Sequence, residues 1–414
     1  MSLDVTIIGG GMIVHDQILP SIYHLQRLGK VGQIAVVATG TKRLAQLKNP
    51  RFERAFPGQS FLAYPALDEQ DEKRYPQLWR DVVAKLSPHN IVVVATPDEL
   101  HFEMVNYALE HNQHVLCVKP LVHHYEQAAQ IAQISHERGL FVGVEYHKRF
   151  DRRSLEARDR YRLGHFGEFA CGDARLIEPY YYRHSNFQNW FTMDHTDPFT
   201  YIGCHYVDLV YFITGLRPTE VSVRGVKRSF PNGNTAYMWA NGRVTFENGA
   251  ILGVSTGLGY PDRGAGSNDQ GMVLYCEGSD CGAVIKHNDQ HRGVSHGYVD
   301  DSSGAHFRFV NPDYFRLVPW DGDGLKPVGY GYESIEANLR SAAQLNQQNA
   351  LGEDHDGLAK RRERIQAIDE HGIIATPSNS YINELVIEAA RLSISQAGQA
   401  TFIEYGDPPR VVKG

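Results

Sequence analysis

The stretch that most constrains this chain is Asp4-Val5-Thr6-Ile7-Ile8-Gly9-Gly10-Gly11-Met12, an apolar strand running straight into three glycines. β-Branched residues in a short run suit a strand buried on both faces, and glycines at its end let the backbone turn sharply and approach a ligand closely. A helix that follows points its free N–H groups and positive dipole end at the turn, which suits a pyrophosphate. Gly9-x-Gly11 fits the dinucleotide fingerprint, but Val14 stands at the third glycine position, so looser packing of helix on strand is expected there. Gly9, Gly11, Met12 and Ile13 are the first candidates for contact with a nucleotide cofactor.

The segments downstream continue the pattern. Ile13 to Leu28 carries apolar residues at helical spacing, with Pro20 expected near a bend, and Gln33 to Ala38 reads as a second buried strand. Residues 50–85 read as polar and loop-rich. Strands follow at Asn90–Ala95, His114–Val118 and Phe141–Tyr146, with helices from Phe102 to His111 and up to Gly139 between them. Strand alternating with helix signals a doubly wound parallel sheet, expected over residues 1–150.

Past residue 150 the rhythm changes. A basic helix from Arg152 to Leu163 leads to a strand at Glu168–Glu178, then to an aromatic loop over residues 178–198 and a helix from Phe199 to Gly215. Glu220–Arg228, Ala236–Phe246, Ala250–Leu258 and Gly271–Glu277 alternate apolar and polar residues, which implies a mostly antiparallel open sheet. Residues 259–270 and 286–332 read as loops. Helices are expected at Ser334–Asn349, Gly357–Glu370 and Ser378–Ala397, the last capped by Ser378 and stopped by Gly398. The expected fold is α/β, with residues 151–414 as a second, α+β domain whose last helices either stay with it or pack back on the first.

With 414 residues and 42% hydrophobic content, the chain can bury more than one core. A net charge of −7 argues against a nucleic-acid partner, and no apolar run is long enough for a membrane helix. No secretion signal is visible, so the expected location is cytoplasmic. Cys117, Cys171, Cys204, Cys276 and Cys281 are scattered and odd in number, which suits reduced thiols and no metal site. Cofactor choice rests on Thr39-Gly40-Thr41-Lys42-Arg43 after the second strand. A carboxylate there would bind the adenosine ribose and repel a 2′-phosphate, whereas Thr39, Thr41, Lys42 and Arg43 lean towards NADP over NAD.

Together, the Gly-rich turn, Thr96-Pro97 with His101, Lys119-Pro120 and Gly203-Cys204-His205-Tyr206-Val207-Asp208 resemble the glucose–fructose oxidoreductase, inositol dehydrogenase and rhizopine-catabolism (Gfo/Idh/MocA) family of two-domain NAD(P)-dependent oxidoreductases. The resemblance covers nearly the whole chain. It implies that Thr96, Pro97 and His101 join the cofactor site and that Lys119 lies beside the nicotinamide and the reacting carbon. It also makes His205 a general acid–base or substrate ligand, suited to the task by an ordinary pKa of about 6.5. Asp208, three residues on, shares its helix face and is a candidate to orient the His205 ring or join the substrate site, the alternative being that it caps local polar groups.

Two departures stand out. The glutamate usual before the Lys-Pro pair is Val118, and the aspartate common four residues before the histidine is Tyr201. A phenol with a pKa near ~10 accepts a proton only with help from a cation, so Tyr201 is either a redistributed acid–base group or a core aromatic. Tyr146 and Lys148 fall where relatives carry a polar segment leading out of the nucleotide domain, which makes them candidates to bind a sugar hydroxyl or the cofactor; the alternative is that Lys148 and Arg149 brace the hinge through ion pairs. Arg183, His184 and Trp190 are substrate candidates, since an aromatic covers a sugar face and arginine clamps an acid. The resemblance thus implies a dehydrogenase acting on a sugar, polyol or sugar derivative, expected to form a homodimer or homotetramer. The alternatives are glycoside cleavage through transient oxidation by bound NAD, and a non-enzymatic nucleotide-dependent regulator.

Overall fold

The computed structural model describes residues 2–70, 73–263, 268–278, 282–289, 314–349 and 355–414. The chain forms two units: Met1–Arg149 with Phe315–Glu388, and Phe150–Tyr314 with Ala389–Gly414. In the first unit, strands β1 (Leu3–Ile8), β2 (Val31–Val37), β3 (Leu62–Tyr64), β4 (Ile91–Val94), β5 (His114–Val118) and β6 (Val142–Glu145) make one sheet in the order β3-β2-β1-β4-β5-β6. Every pair is parallel. All four residues of β4 are buried, as a central strand covered on both faces requires. The strand order reverses between β1 and β4, and in such sheets ligands bind outside the carboxyl ends of the strands at that point. The core that packs against β1 and β2 includes Ile335, Leu339, Leu345 and Ile365 from the returning C-terminal segment.

The second unit contains β7 (Glu168–Pro179), β8 (Pro218–Ser229), β9 (Thr235–Phe246), β10 (Ile251–Tyr260), β11 (Asp269–Glu277) and β12 (Gly282–Asn288). A hairpin of β13 (Arg316–Pro319) and β14 (Leu325–Val328) then belongs to the first unit, and β15 (Thr401–Glu404) and β16 (Arg410–Lys413) return to the second. Its eight-stranded sheet runs β12-β11-β7-β10-β9-β8-β15-β16 and is antiparallel except where β7 and β10 run parallel. Alternation sets the two faces apart. Met238, Ala240, Leu252, Val254, Met272 and Leu274 are buried beneath the apolar helix Cys204–Thr214 and the turn Phe199–Gly203 that precedes it. The Phe199 ring lies on Gly242, where a Cβ would collide with it. On the other face Val284, Tyr275, Cys171 and Ile251 stand side by side across four strands and are exposed.

Several local expectations change. Residues 50–85 are not all loop: they hold the helices Pro50–Ala55 and Leu78–Val83 and the edge strand β3, which at three residues is too short to show alternation. The loops expected at 178–198, 259–270 and 286–332 are shortened by the turns Tyr180–His184 and Phe187–Trp190, by β10 and β11, and by β12 to β14; residues 290–313 lie outside the described residues. Pro20 does not end the helix: the backbone stays helical from Met12 to Arg27, and Pro20 directly follows the π-helical turn Val14–Ile18, where the regular hydrogen-bond ladder is already interrupted. The final helix, Pro377–Ser395, is capped by the Thr376 hydroxyl, which accepts from the Asn379 N–H at 3.3 Å, and not by Ser378.

Candidate active site

The glycine turn fits a dinucleotide. Gly9 has φ +120°, a conformation that side chains rarely adopt, and a Cβ there would run into the Ala95 carbonyl oxygen. A Cβ on Gly11 would meet no atom within 4 Å, so the backbone at the helix start lies open to a close-fitting anion. Met12 and Ile13 are half-buried beside it. At the third glycine position Val14 is fully buried and begins a π-helical turn, Val14–Ile18. These groups would hold the pyrophosphate of a nicotinamide dinucleotide, which supplies or accepts the hydride when bound.

At the end of β2, Thr39, Lys42 and Arg43 are exposed and Thr41 is buried, so Thr41 packs inward whereas the others face solvent. The sequence reading missed Arg74. Its guanidinium lies against Gly40, brought there by a loop anchored where the Tyr75 N–H donates to the Thr39 carbonyl at 2.9 Å. Among the described residues no carboxylate pairs with Lys42, Arg43 or Arg74.

Thr96, Pro97 and Lys119 are half-buried at the ends of the neighbouring strands β4 and β5. Because β1 flanks β4 and β4 flanks β5, the glycine turn, Thr96 and Lys119 share one edge of one sheet. His101 is placed differently from a cofactor contact: it is fully buried, and its ring nitrogens face the backbone carbonyls of Thr96, Pro120 and Leu121.

At the end of β6, Tyr146 and Lys148 are 1% and 2% exposed, so neither presents an open surface to a substrate in this unit. Lys148 Nζ lies 3.5 Å from the Tyr330 hydroxyl. Arg149 donates to Asn379 Oδ1 at 3.2 Å, tying β6 to the last helix. Sequence reasoning passed over Glu145, whose carboxylate accepts from the Gln17 amide at 2.9 Å and the His147 ring at 2.8 Å. That network joins the helix after the glycine turn to the end of β6.

In the second unit the helix bearing His205 packs on the buried sheet face, leaving His205 8% exposed and Asp208 1% exposed. Asp208 is thus a core group within this unit. Tyr201 sits in the preceding π-helical turn with its ring edge-on to Phe187, Trp190 and Phe191, at centroid separations of 5.6, 5.2 and 5.8 Å. Trp190 and Tyr201 are therefore brought together. Arg183 is turned away from them: its Nε donates to the Leu258 carbonyl and its guanidinium lies over the Tyr180 ring, while His184 is exposed beside Tyr180. Tyr182, not singled out from sequence, stacks on Phe187, and burial pushes its phenol well above the ordinary value.

Asp151, His287 and Asp289 form a buried cluster of metal-ligand type. Arg153 Nη2 lies 2.6 Å from Asp151, 2.8 Å from Asp289 and 3.2 Å from His287 Nε2, so a guanidinium supplies the positive charge there. Burial raises the Asp151 pKa, but bonds from His287 and Arg153 outweigh it and hold the carboxyl at about 2.

Family models match both parts of the chain. Residues 3–146 match the model described as oxidoreductase family, NAD-binding Rossmann fold, and residues 155–278 match the GFO/IDH/MocA C-terminal domain. The chain belongs to the Gfo/Idh/MocA oxidoreductase family. It is 26% identical over 200 residues to D-glucoside 3-dehydrogenase of Escherichia coli, covering 43% of this chain and 55% of that protein. Its matches span 26% to 62% of the length of its curated relatives. Among solved structures, myo-inositol 2-dehydrogenase from Lactobacillus plantarum aligns with a TM-score of 0.60 and 15% identity over 98% of this chain and all of that one. GenD2 from gentamicin A biosynthesis, solved with NAD, gives 0.62 and 16% over 97% of each chain. At these identities the structures show a shared fold. No described helix is long and apolar enough to cross a membrane.

Proposed function

We propose that this protein is an NAD(P)-dependent dehydrogenase that moves a hydride between its cofactor and a secondary alcohol or carbonyl carbon of a sugar, polyol or sugar derivative. One observation carries the reading: the open glycine turn, Thr96 and Lys119 lie at adjacent strand ends on one edge of the first sheet. Lys119 is the ammonium that bonds the reacting hydroxyl, holds it in line and eases loss of its proton. His205 exchanges a proton as the alcohol becomes a carbonyl, and Tyr201, with Trp190 beside it, contributes to the substrate surface. The sugar class is supported by the D-glucoside 3-dehydrogenase relative.

Lys42, Arg43 and Arg74 favour NADP over NAD, since they gather positive charge where a 2′-phosphate would lie. The exposed apolar row on the second sheet fits a homo-oligomer, and the scattered thiols fit a reducing, cytoplasmic location. A second reading, glycoside cleavage through transient oxidation, is favoured by Tyr201 standing in an aromatic cluster in place of a carboxylate. The test is reduced-nicotinamide absorbance with a panel of sugars, polyols and glycosides. Lys119→Met should lower turnover by about 1000-fold while cofactor binding stays within about 3-fold. Undiminished turnover in that variant would refute the assignment; glycoside consumption without net reduction would select the second reading.

A further inference from the structure

The ladder between β4 and β5 ends where Val94 faces Cys117, so the turns that carry Thr96 and Lys119 lie beyond the last strand pairing. His101 bridges them there. Its Nδ1 lies 2.8 Å from the Pro120 carbonyl oxygen and 3.2 Å from that of Leu121, and its Nε2 lies 3.0 Å from the Thr96 carbonyl oxygen. All three partners are acceptors. Hydrogen bonds on both sides of the ring therefore require N–H at both nitrogens, a condition that only the imidazolium meets.

The groups around the ring pull in opposite directions. Burial, the strongest influence, holds the His101 pKa below its ordinary value; the Asp98 carboxylate and the Thr96 and Pro120 carbonyls oppose it only in part, so the neutral ring with a single N–H prevails near neutral pH. Asp98 is itself buried and lies 3.1 Å from His123 Nε2, and its charge also acts on the His101 ring. A neutral ring donates to one turn and a charged ring to both.

We propose that His101 is a positioning residue for Lys119: its buried ring is wedged between the Lys119-Pro120-Leu121 turn and the Thr96 turn, with one nitrogen facing each and its N–H donated to one of them. This rests on the reading of Lys119 as the ammonium that meets the substrate. His101 touches neither substrate nor cofactor; it sets where the ammonium stands, and a displacement near 1 Å costs about 100-fold in rate.

The test combines hydrogen exchange of the Lys119–His124 amides with kcat and cofactor KM in His101→Leu, His101→Gln and Lys119→Met. In His101→Leu, which keeps the bulk and removes the ring's hydrogen-bonding nitrogens, exchange in that segment should rise about 10-fold and kcat fall about 10- to 100-fold, with cofactor KM within about 3-fold. His101→Gln, whose amide reaches one carbonyl, should lie between. Lys119→Met should lose turnover without faster exchange. Should His101→Leu fail to fold, Asp98→Asn keeps the ring and removes the charge that favours its second proton. That variant should show a smaller rise in exchange and a kcat pH profile displaced to lower pH. Unchanged exchange in His101→Leu, or in Asp98→Asn where it replaces that variant, overturns the proposal. Faster exchange in His101→Leu together with a fully active Lys119→Met would retain the brace and refute the role given to Lys119.

Discussion

Arg74→Ala is the perturbation that separates the two cofactors most cleanly. The side chain is exposed and lies against Gly40, so its removal takes nothing from the core and leaves Lys42 and Arg43 in place. Two unit charges about 4 Å apart are worth about 1 kcal/mol in water and about 4 kcal/mol at the effective dielectric near a protein surface. Exposed ion pairs fall at or below the lower figure, and hydrogen bonds to charged groups reach about 1.5–3 kcal/mol. A guanidinium on a partly exposed phosphate therefore contributes about 1–2 kcal/mol, which weakens NADPH binding by about 5- to 30-fold when it is lost. NADH has no phosphate at that position and should change by less than about 2-fold. Fluorescence titration of both nucleotides reads the difference directly. Raising the ionic strength should erode the NADPH preference of the wild type and have little further effect on the variant. Equal losses for NADH and NADPH would refute the argument, as would a wild type that binds NADH as tightly as NADPH.

Acid should destabilise the first unit through His114. Its Nε2–H donates to Asn346 Oδ1 and its Nδ1 accepts from the Phe141 N–H, both at 2.9 Å, and burial pushes its pKa down to about 4. Because the unfolded chain takes up the proton first, near pH ~6.5, this contribution is full above that pH and is lost as pH falls through about 4, amounting to about 3 kcal/mol. Denaturation midpoints across that range should fall less steeply in His114→Gln; equal slopes would exclude the histidine as the cause. On the second sheet, Tyr275→Glu with Ile251→Glu places two charges in the exposed apolar row. If this row is the interface of the proposed homo-oligomer, light scattering should report monomers for the variant and an oligomer for the wild type, whereas an unchanged mass would move the interface elsewhere.

Regular features were readable from sequence because they depend on local pattern. The strand entering Gly9-Gly10-Gly11, the Val- and Ile-rich runs of β4 and β5, and the alternation in β9 to β11 each state their burial in consecutive residues. What sequence hid depends on distant partners. Arg74 becomes interesting only because its loop folds back onto Gly40, and Glu145 because Gln17, 128 positions away, donates to it. His101 was recognisable by its spacing after Thr96-Pro97, but spacing cannot distinguish a ring that faces a nucleotide from one enclosed by carbonyls. The burial of Asp208 and Lys148 was hidden for a related reason, since a polar side chain beside a motif does not announce how closely its neighbours pack around it.

The first unit is discontinuous in sequence, and that fixes when it can be completed. Residues 315–388 supply Ile335, Leu339 and Leu345 to its core, Asn346 to His114, and Asn379 to Arg149. During synthesis the six parallel strands emerge long before these partners exist, so the apolar surface they will share stays uncovered while the whole intervening unit is made. A chain interrupted after residue 150 therefore has every strand of the nucleotide-binding sheet and still lacks one wall of its interior.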